Sequence, residues 1–143
     1  MKSFRPRLAC LAATLLTGSA VFAQDYTFEV VASGLSRPTG IAAHGSGTIY
    51  FSEIPTPGVG GGLNAVKELK LGNGATSVIH QGEPEPVNIA VDKSGVLYWT
   101  CKSAGVILEQ APHWPASTAM PLLTGLAKPS GIAIDASGMV YFT

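Results

Sequence analysis

The chain of 143 residues carries nine Lys and Arg against nine Asp and Glu, a formal net charge of zero, with 13% charged and 46% hydrophobic residues. Binding to nucleic acid draws on clustered cations that displace counterions from phosphates, and this chain has no such cluster to offer. Nucleic acid is therefore excluded as the expected partner.

The first predicted element is an export signal over residues 1–23. Lys2, Arg5 and Arg7 form its basic start, Leu8 to Leu16 its apolar stretch, and Val21 and Ala23 are the small residues that precede a cut before Gln24. The apolar run is too short to span a bilayer, and Cys10, three residues after Arg7, sits too early for a lipoprotein acylation site. The expected product is secreted or periplasmic, comprises residues 24–143, and has no membrane span. Removing the signal takes three of the nine basic residues and none of the nine acidic ones, which leaves a formal charge of −3. Only Cys101 survives, so no intramolecular disulfide can form. With no His or Asn motif to activate it, Cys101 reads as a buried small apolar residue.

Beyond the signal the sequence repeats. GLSRPTGIAAHGSGTIYFSE from Gly34, GEPEPVNIAVDKSGVLYWTC from Gly82 and GLAKPSGIAIDASGMVYFT from Gly125 align without gaps at offsets of 48 and 43 residues. A period of that length belongs to units that are whole small sheets. Seven columns are identical in all three copies, among them Pro38/Pro86/Pro129, Ile41/Ile89/Ile132, Gly47/Gly95/Gly138 and Tyr50/Tyr98/Tyr141.

The predicted strands follow in chain order. Tyr26 to Ala32 precedes the first motif as Ser117 to Leu123 precedes the third, so it is expected to be the outermost strand of a blade completed elsewhere. In each motif the Pro marks a strand start, and a short apolar run such as Ile89 to Val91 leads to an Asp-x-Ser-Gly turn. There the Asp accepts backbone N–H groups and the Gly takes a positive φ. Val96 to Thr100 then returns as the second strand of a hairpin. Leu63 to Leu71 alternates, with Val66, Glu68 and Lys70 on one face, and supplies a third strand; Thr76 to His80 supplies the fourth. In the second copy the equivalents are Gly105 to Glu109 and Met120 to Leu123. Early strands are apolar and late ones polar, as expected of blades that stack face to face with their inner strands covered on both sides. The predicted fold is all-β: a β-propeller of four-stranded antiparallel blades, incomplete, with about two and a half blades present.

The pattern Pro-x-Gly-Ile-Ala-x-Asp-x-Ser-Gly-x-x-Tyr-Phe resembles the repeats of NHL-type propellers and of their six-bladed gluconolactonase-like and streptogramin-lyase-like relatives, over nearly all of Tyr26 to Thr143. The resemblance implies a ligand site at the axial mouth, lined by loops from every blade. It further implies that a divalent metal, if the full-length protein holds one, would be bound there by carboxylate and amide oxygens. Where the gluconolactonase-like family carries a metal-binding Glu before its first inner strand, this chain has Pro38, Thr39 and Gly40. Propellers close with roughly four to eight blades. The chain is therefore expected to be the first part of a longer protein rather than a unit that borrows blades from other copies of itself, since no copy would supply the third strand of the last blade.

The loops before the inner strands present Arg37, Glu85 and Lys128, then Thr39, Val87 and Ser130. Asn88 stands where the other copies have Gly; its amide is a candidate ligand for a metal or substrate, and alternatively Asn shares the tolerance of Gly for a left-handed backbone. Glu53 follows the second strand of the first blade and is a further candidate for the mouth, with Cys101 in its place in the second. Asp92 and Asp135 are read as turn residues and His44 as their counterpart, and the three histidines share no metal-ligand spacing. Pro55 to Gly62 reads as a flexible connection, without the Lys-Ser/Thr ending of a phosphate loop. His113, Trp114 and Pro115 are read as the matching loop of the second blade, with Trp114 able to stack on a sugar or peptide or to cap a blade. Two functions fit: a recognition or scaffold module for a protein, peptide or cell-envelope glycan, or part of a metal-assisted hydrolase or lyase whose catalytic residues lie mostly in other blades.

Overall fold

The computed structural model describes residues 2–7, 25–56, 62–82 and 84–143. The apolar stretch of the expected signal and its cleavage point after Ala23 lie outside the described residues. The chain divides into two compact units, Met1–Gly34 and Leu35–Thr143. In the first, β1 (Lys2–Arg7) pairs antiparallel with β2 (Asp25–Val30), Lys2 opposite Val30 and Arg7 opposite Asp25. The segment expected to be an outermost strand is thus largely a strand.

The second unit holds the repeats. β3 (Pro38–His44), β4 (Thr48–Glu53), β5 (Ala65–Lys70) and β6 (Ala75–Gln81) form one four-stranded antiparallel sheet in sequential order. β7 (Pro86–Val91), β8 (Leu97–Cys101), β9 (Val106–Gln110) and β10 (Met120–Leu123) form a second of the same order. β11 (Ile132–Ile134) and β12 (Val140–Phe142) make a hairpin that repeats the first two strands. No helix among the described residues is long and apolar enough to cross a membrane.

The hairpin turn forms for the reason the sequence suggests. Asp92 Oδ1 accepts Ser94 N–H at 2.8 Å, Ser94 Oγ–H at 2.7 Å and Val96 N–H at 2.9 Å, while Gly95, at φ 89°, donates its N–H to Asp92 O. Asp135 repeats these bonds with Ser137 and Met139. In the first blade His44 replaces the carboxylate and its Nδ1 meets Ser46 Oγ at 2.9 Å.

The sheets stack by their faces. Tyr50 and Val66 of the first sheet pack with Ile89, Leu97, Trp99, Cys101 and Leu108 of the second. Ala90 and Ile107, on the opposite face of the second sheet, pack with Ile132 of the hairpin. Alternating strand residues therefore serve two different interfaces, as the period of two requires of a sheet covered on both sides. The repeated tyrosine follows the stacking: Tyr50 lies under the second sheet at 8% exposure, Tyr98 is half-buried beside the hairpin, and Tyr141 is 56% exposed. Within the two four-stranded sheets the second strand is the deepest: every residue of β4 is buried whereas β3 is mostly exposed, and β8 is buried at all but one residue. A second strand is bonded along both edges, and β3, unlike β7, has a partner sheet of this unit on one side only.

Candidate functional site

The innermost strands lie side by side, and their starts gather one loop from each repeat at one end of the unit. Arg37, Glu85 and Lys128, each exposed and each preceding the motif Pro, all adopt a left-handed backbone, with φ of 47°, 48° and 55°. A non-glycine residue in that region costs on the order of 1–3 kcal/mol, and a following Pro narrows its choices further. The conformation is held from the far side of the hairpin: Ile54 N–H donates to Arg37 O at 3.3 Å and Lys102 N–H to Glu85 O at 3.1 Å. Three charged side chains of alternating sign thus leave the same point of successive repeats. Ser103 Oγ donates to Glu85 Oε2, whereas Arg37 and Lys128 form no ion pair among the described residues.

Glu53 is buried and holds the first of these loops. Its Oε2 pairs with Lys67 Nζ at 2.6 Å and its Oε1 accepts the Ser36 N–H at 3.0 Å, so the carboxylate ties β5 and the entry to β3 together. Asn88 is half-buried; its Oδ1 accepts the Ile89 N–H at 2.9 Å and its own N–H points at Thr100 Oγ1 at 3.3 Å. The left-handed explanation for Asn88 is wrong, since neither Asn88 nor the equivalent Gly40 and Gly131 has a positive φ. Gly40 is needed instead for close approach, because a Cβ there would lie 2.7 Å from Asn88 Cα and 2.9 Å from Val87 O.

A row of hydroxyls beneath these loops was missed in the sequence. Ser52, Thr100 and Thr143 occupy one column of the repeat, and each accepts the backbone N–H of residue 40, 88 or 131, at 2.8, 3.3 and 3.0 Å. These bonds cap the register shift at the start of β3 and of β7. The row also couples neighbours. Ser52 meets Thr39 Oγ1, which donates to Pro86 O at 2.9 Å, and Thr100 Oγ1 donates directly to Ser130 O at 2.9 Å. The signal was a hydroxyl in all three copies, hidden because Ser and Thr do not count as identical.

At the opposite end of the inner strands the turns are coupled as well: His44 Nε2 lies 3.3 Å from Lys93 O, and Lys93 Nζ donates to Ala136 O at 2.6 Å. Hydrogen bonds from the Ser137 hydroxyl and from Met139 N–H hold the Asp135 carboxyl down to about 2. Burial opposes ionisation of Asp92, but the bonds from Ser94, Val96 and Gly95 together outweigh it and keep its pKa below the ordinary value. Both aspartates are therefore turn residues. The loop assignment for Trp114 is corrected here. The second-to-third-strand connection of the second sheet is Lys102 to Gly105, and His113 to Pro115 lie between β9 and β10, at the end away from Arg37 and Lys128. Most of Pro55 to Gly62 falls outside the described residues.

A divalent metal does not fit the residues present. Both oxygens of Glu53 and the amide oxygen of Asn88 are taken by this chain's own donors, and the described residues contain no group of three His, Cys, Asp or Glu placed to hold a cation.

No protein-family model matches the chain, and no curated protein matches it. Solved structures do. A chain of a nidogen/laminin complex is matched over 86% of this chain and 46% of its own, at 18% identity and a TM-score of 0.67. A gluconolactonase of Xanthomonas campestris is matched over 94% and 44%, at 15% identity and 0.64. A streptogramin B lyase is matched over 83% and 38%, at 20% identity and 0.57. The chain thus spans less than half the length of these neighbours, and identities this low speak for architecture alone. Sheets of four, four and two antiparallel strands stacked face to face, with propeller proteins as structural neighbours, make this chain part of a β-propeller.

Proposed function

We propose that the chain is the N-terminal part of an exported, longer propeller that serves as a recognition or scaffold module, binding a protein, peptide or glycan through the end where the inner strands begin. One observation carries this reading: Arg37, Glu85 and Lys128 are displayed from equivalent left-handed positions in the loops that lead into three successive inner strands. A backbone fixed on a scaffold in this way loses little freedom on binding, which favours recognition. The carboxylates that would otherwise suggest chemistry are engaged in the fold, Glu53 in its clamp and Asp92 and Asp135 in their turns. The nidogen/laminin neighbour belongs to a protein complex, which supports a macromolecular partner.

A hydrolase or lyase is the second reading, favoured by the gluconolactonase and the streptogramin B lyase among the structural neighbours. In that case the catalytic groups would come mainly from blades beyond this chain. Metal analysis of the full-length protein separates the two. A stoichiometric divalent cation whose removal by chelator lowers the thermal midpoint would overturn the recognition reading. The export proposal is checked by the intact mass of the protein expressed with its N-terminus, which is expected to begin at Gln24.

A further inference from the structure

We infer that the cleft between the first and second sheets, at the end away from Arg37 and Lys128, is a binding site for a neutral saccharide. It has a volume of about 330 Å³, within the range of roughly 300–1,000 Å³ that takes small molecules. Tyr50, Glu68 and Lys70 line it from the first sheet, and Leu97, Gln110 and Trp114 from the second.

The walls are built rather than incidental. Trp114 sits on a loop fixed to both sheets: Trp114 N–H donates to Ala111 O at 3.0 Å, Gln110 Nε2 to Pro115 O at 3.1 Å and Thr118 Oγ1 to Pro115 O at 2.6 Å, and Ser117 N–H reaches across to Ile79 O at 2.8 Å. Ser117 holds a left-handed φ of 59° to make that crossing. The indole lines the cleft from a fixed loop, half-buried and T-shaped against the His113 ring at 6.3 Å, so stacking on it would cost little backbone entropy.

The polar groups match hydroxyls. Glu68 Oε1 accepts from Ser77 Oγ at 2.7 Å and lies 3.8 Å from Lys70 Nζ, which leaves Oε2 without a partner among the described residues. Gln110 is 4% exposed, and its Oε1 is buried with no donor among the described residues. A buried acceptor left unpaired is costly, and a small turn of the amide toward a ligand hydroxyl would relieve it. An aromatic face with a carboxylate, an amide and an ammonium around it suits a sugar ring, which has apolar C–H faces and a rim of hydroxyls. A phosphate would meet one cation already beside a carboxylate, and a wholly apolar ligand would strip water from that ion pair and offer its free acceptor no hydrogen bond.

The experiment titrates the full chain with cellobiose and with N,N′-diacetylchitobiose, read by intrinsic fluorescence and calorimetry. Trp99 is fully buried in the sheet interface, so a ligand-dependent change reports on Trp114. Saturable binding with a dissociation constant of about 1 mM or tighter is expected for at least one of them, weakened about tenfold or more by Glu68→Gln and by Trp114→Ala. Should Trp114→Ala fail to fold, Trp114→Phe is expected to weaken binding less while leaving the thermal midpoint in place. Arg37→Glu and Lys128→Glu are expected to leave it unchanged, which separates this cleft from the proposed recognition end. No saturable binding of either sugar overturns the inference, as does binding that the mouth variants abolish and the cleft variants leave intact.

Discussion

The second sheet and the β11–β12 hairpin carry the same motif, yet one is a core and the other is nearly all surface. Trp99 is fully buried and Phe142, its equivalent, is 43% exposed; Ala90 is buried and Ala133 exposed. The two hairpins share their turn chemistry and internal register, but β8 is also bonded to β9 along its other edge, whereas β12 has no further strand beside it among the described residues. Coverage of the faces differs as well. The second sheet has the first against one face and the hairpin against the other, whereas the hairpin has a partner on one face only. Stability in this repeat is therefore a property of interfaces between units, as in other stacked-repeat architectures.

The largest test of that contrast is truncation of the two equivalent aromatics. Trp99→Ala removes the largest fully buried side chain between the first two sheets and is expected to cost about 3–5 kcal/mol in denaturant unfolding. Phe142→Ala is expected to cost about 1 kcal/mol or less. Equal losses would mean that the stacking does not set the energetics.

Glycine substitution is the next largest. Gly40→Ala puts a Cβ 2.7 Å from the backbone of Asn88, where neither strand can yield without separating the sheets, and is expected to cost about 1–3 kcal/mol. Gly131→Ala brings its Cβ to 2.9 Å from Thr143 Oγ1, a side chain that can rotate away, and is expected to cost less than about 1 kcal/mol. The hydroxyl row sharpens the same comparison. Thr100→Val strands both Asn88 N–H and Ser130 O, an expected loss of about 1–2 kcal/mol. Thr143→Val leaves only the exposed Gly131 N–H bond unmade, and its expected effect is within about 0.5 kcal/mol. Hydrogen exchange of the residue 88 and 131 amides would read each loss directly.

The repeats carried the architecture because each motif contains its own turn: Asp, Ser and Gly fix the hairpin locally, so two strands per copy were legible from Asp92 to Gly95 and Asp135 to Gly138 alone. The polar third strand was legible for a similar reason, since Val66 turns inward to the core while Glu68 and Lys70, on the same face, reach the cleft. The site was less legible, because its determinants are relations between sheets. Nothing beside Gly40 in the sequence says that Asn88 Cα passes within contact distance, and Glu53 shows its role only once Lys67 and Ser36 are brought to it by strand pairing and loop closure. The left-handed backbone at Arg37, Glu85 and Lys128 was hidden further still, since the side chains vary and, at Arg37 and Glu85, the conformation is held by bonds to their carbonyls from across the hairpin.

The smallest expected effect is the pH dependence of the hairpin turn. Asp135 has a carboxyl pKa of about 2 in the folded chain, lowered first by the Ser137 hydroxyl and then by the Met139 N–H, against roughly 3.9 for an unperturbed aspartate. A folded pKa below the unfolded one means that the unfolded state binds the proton more readily. The turn therefore contributes its full stability above about pH 4 and loses it as pH falls towards 2. Asp135→Asn keeps an acceptor oxygen at the turn and removes the titration, so it should flatten the pH dependence of β11–β12 exchange protection over that window. Asp92, lowered by the same bonds and opposed by burial, should lose protection in the same direction. A hairpin whose protection rises as pH falls from 4 to 2 would show that these carboxylates do not hold the turn as anions, and with that the shared local origin of the two hairpins would fail.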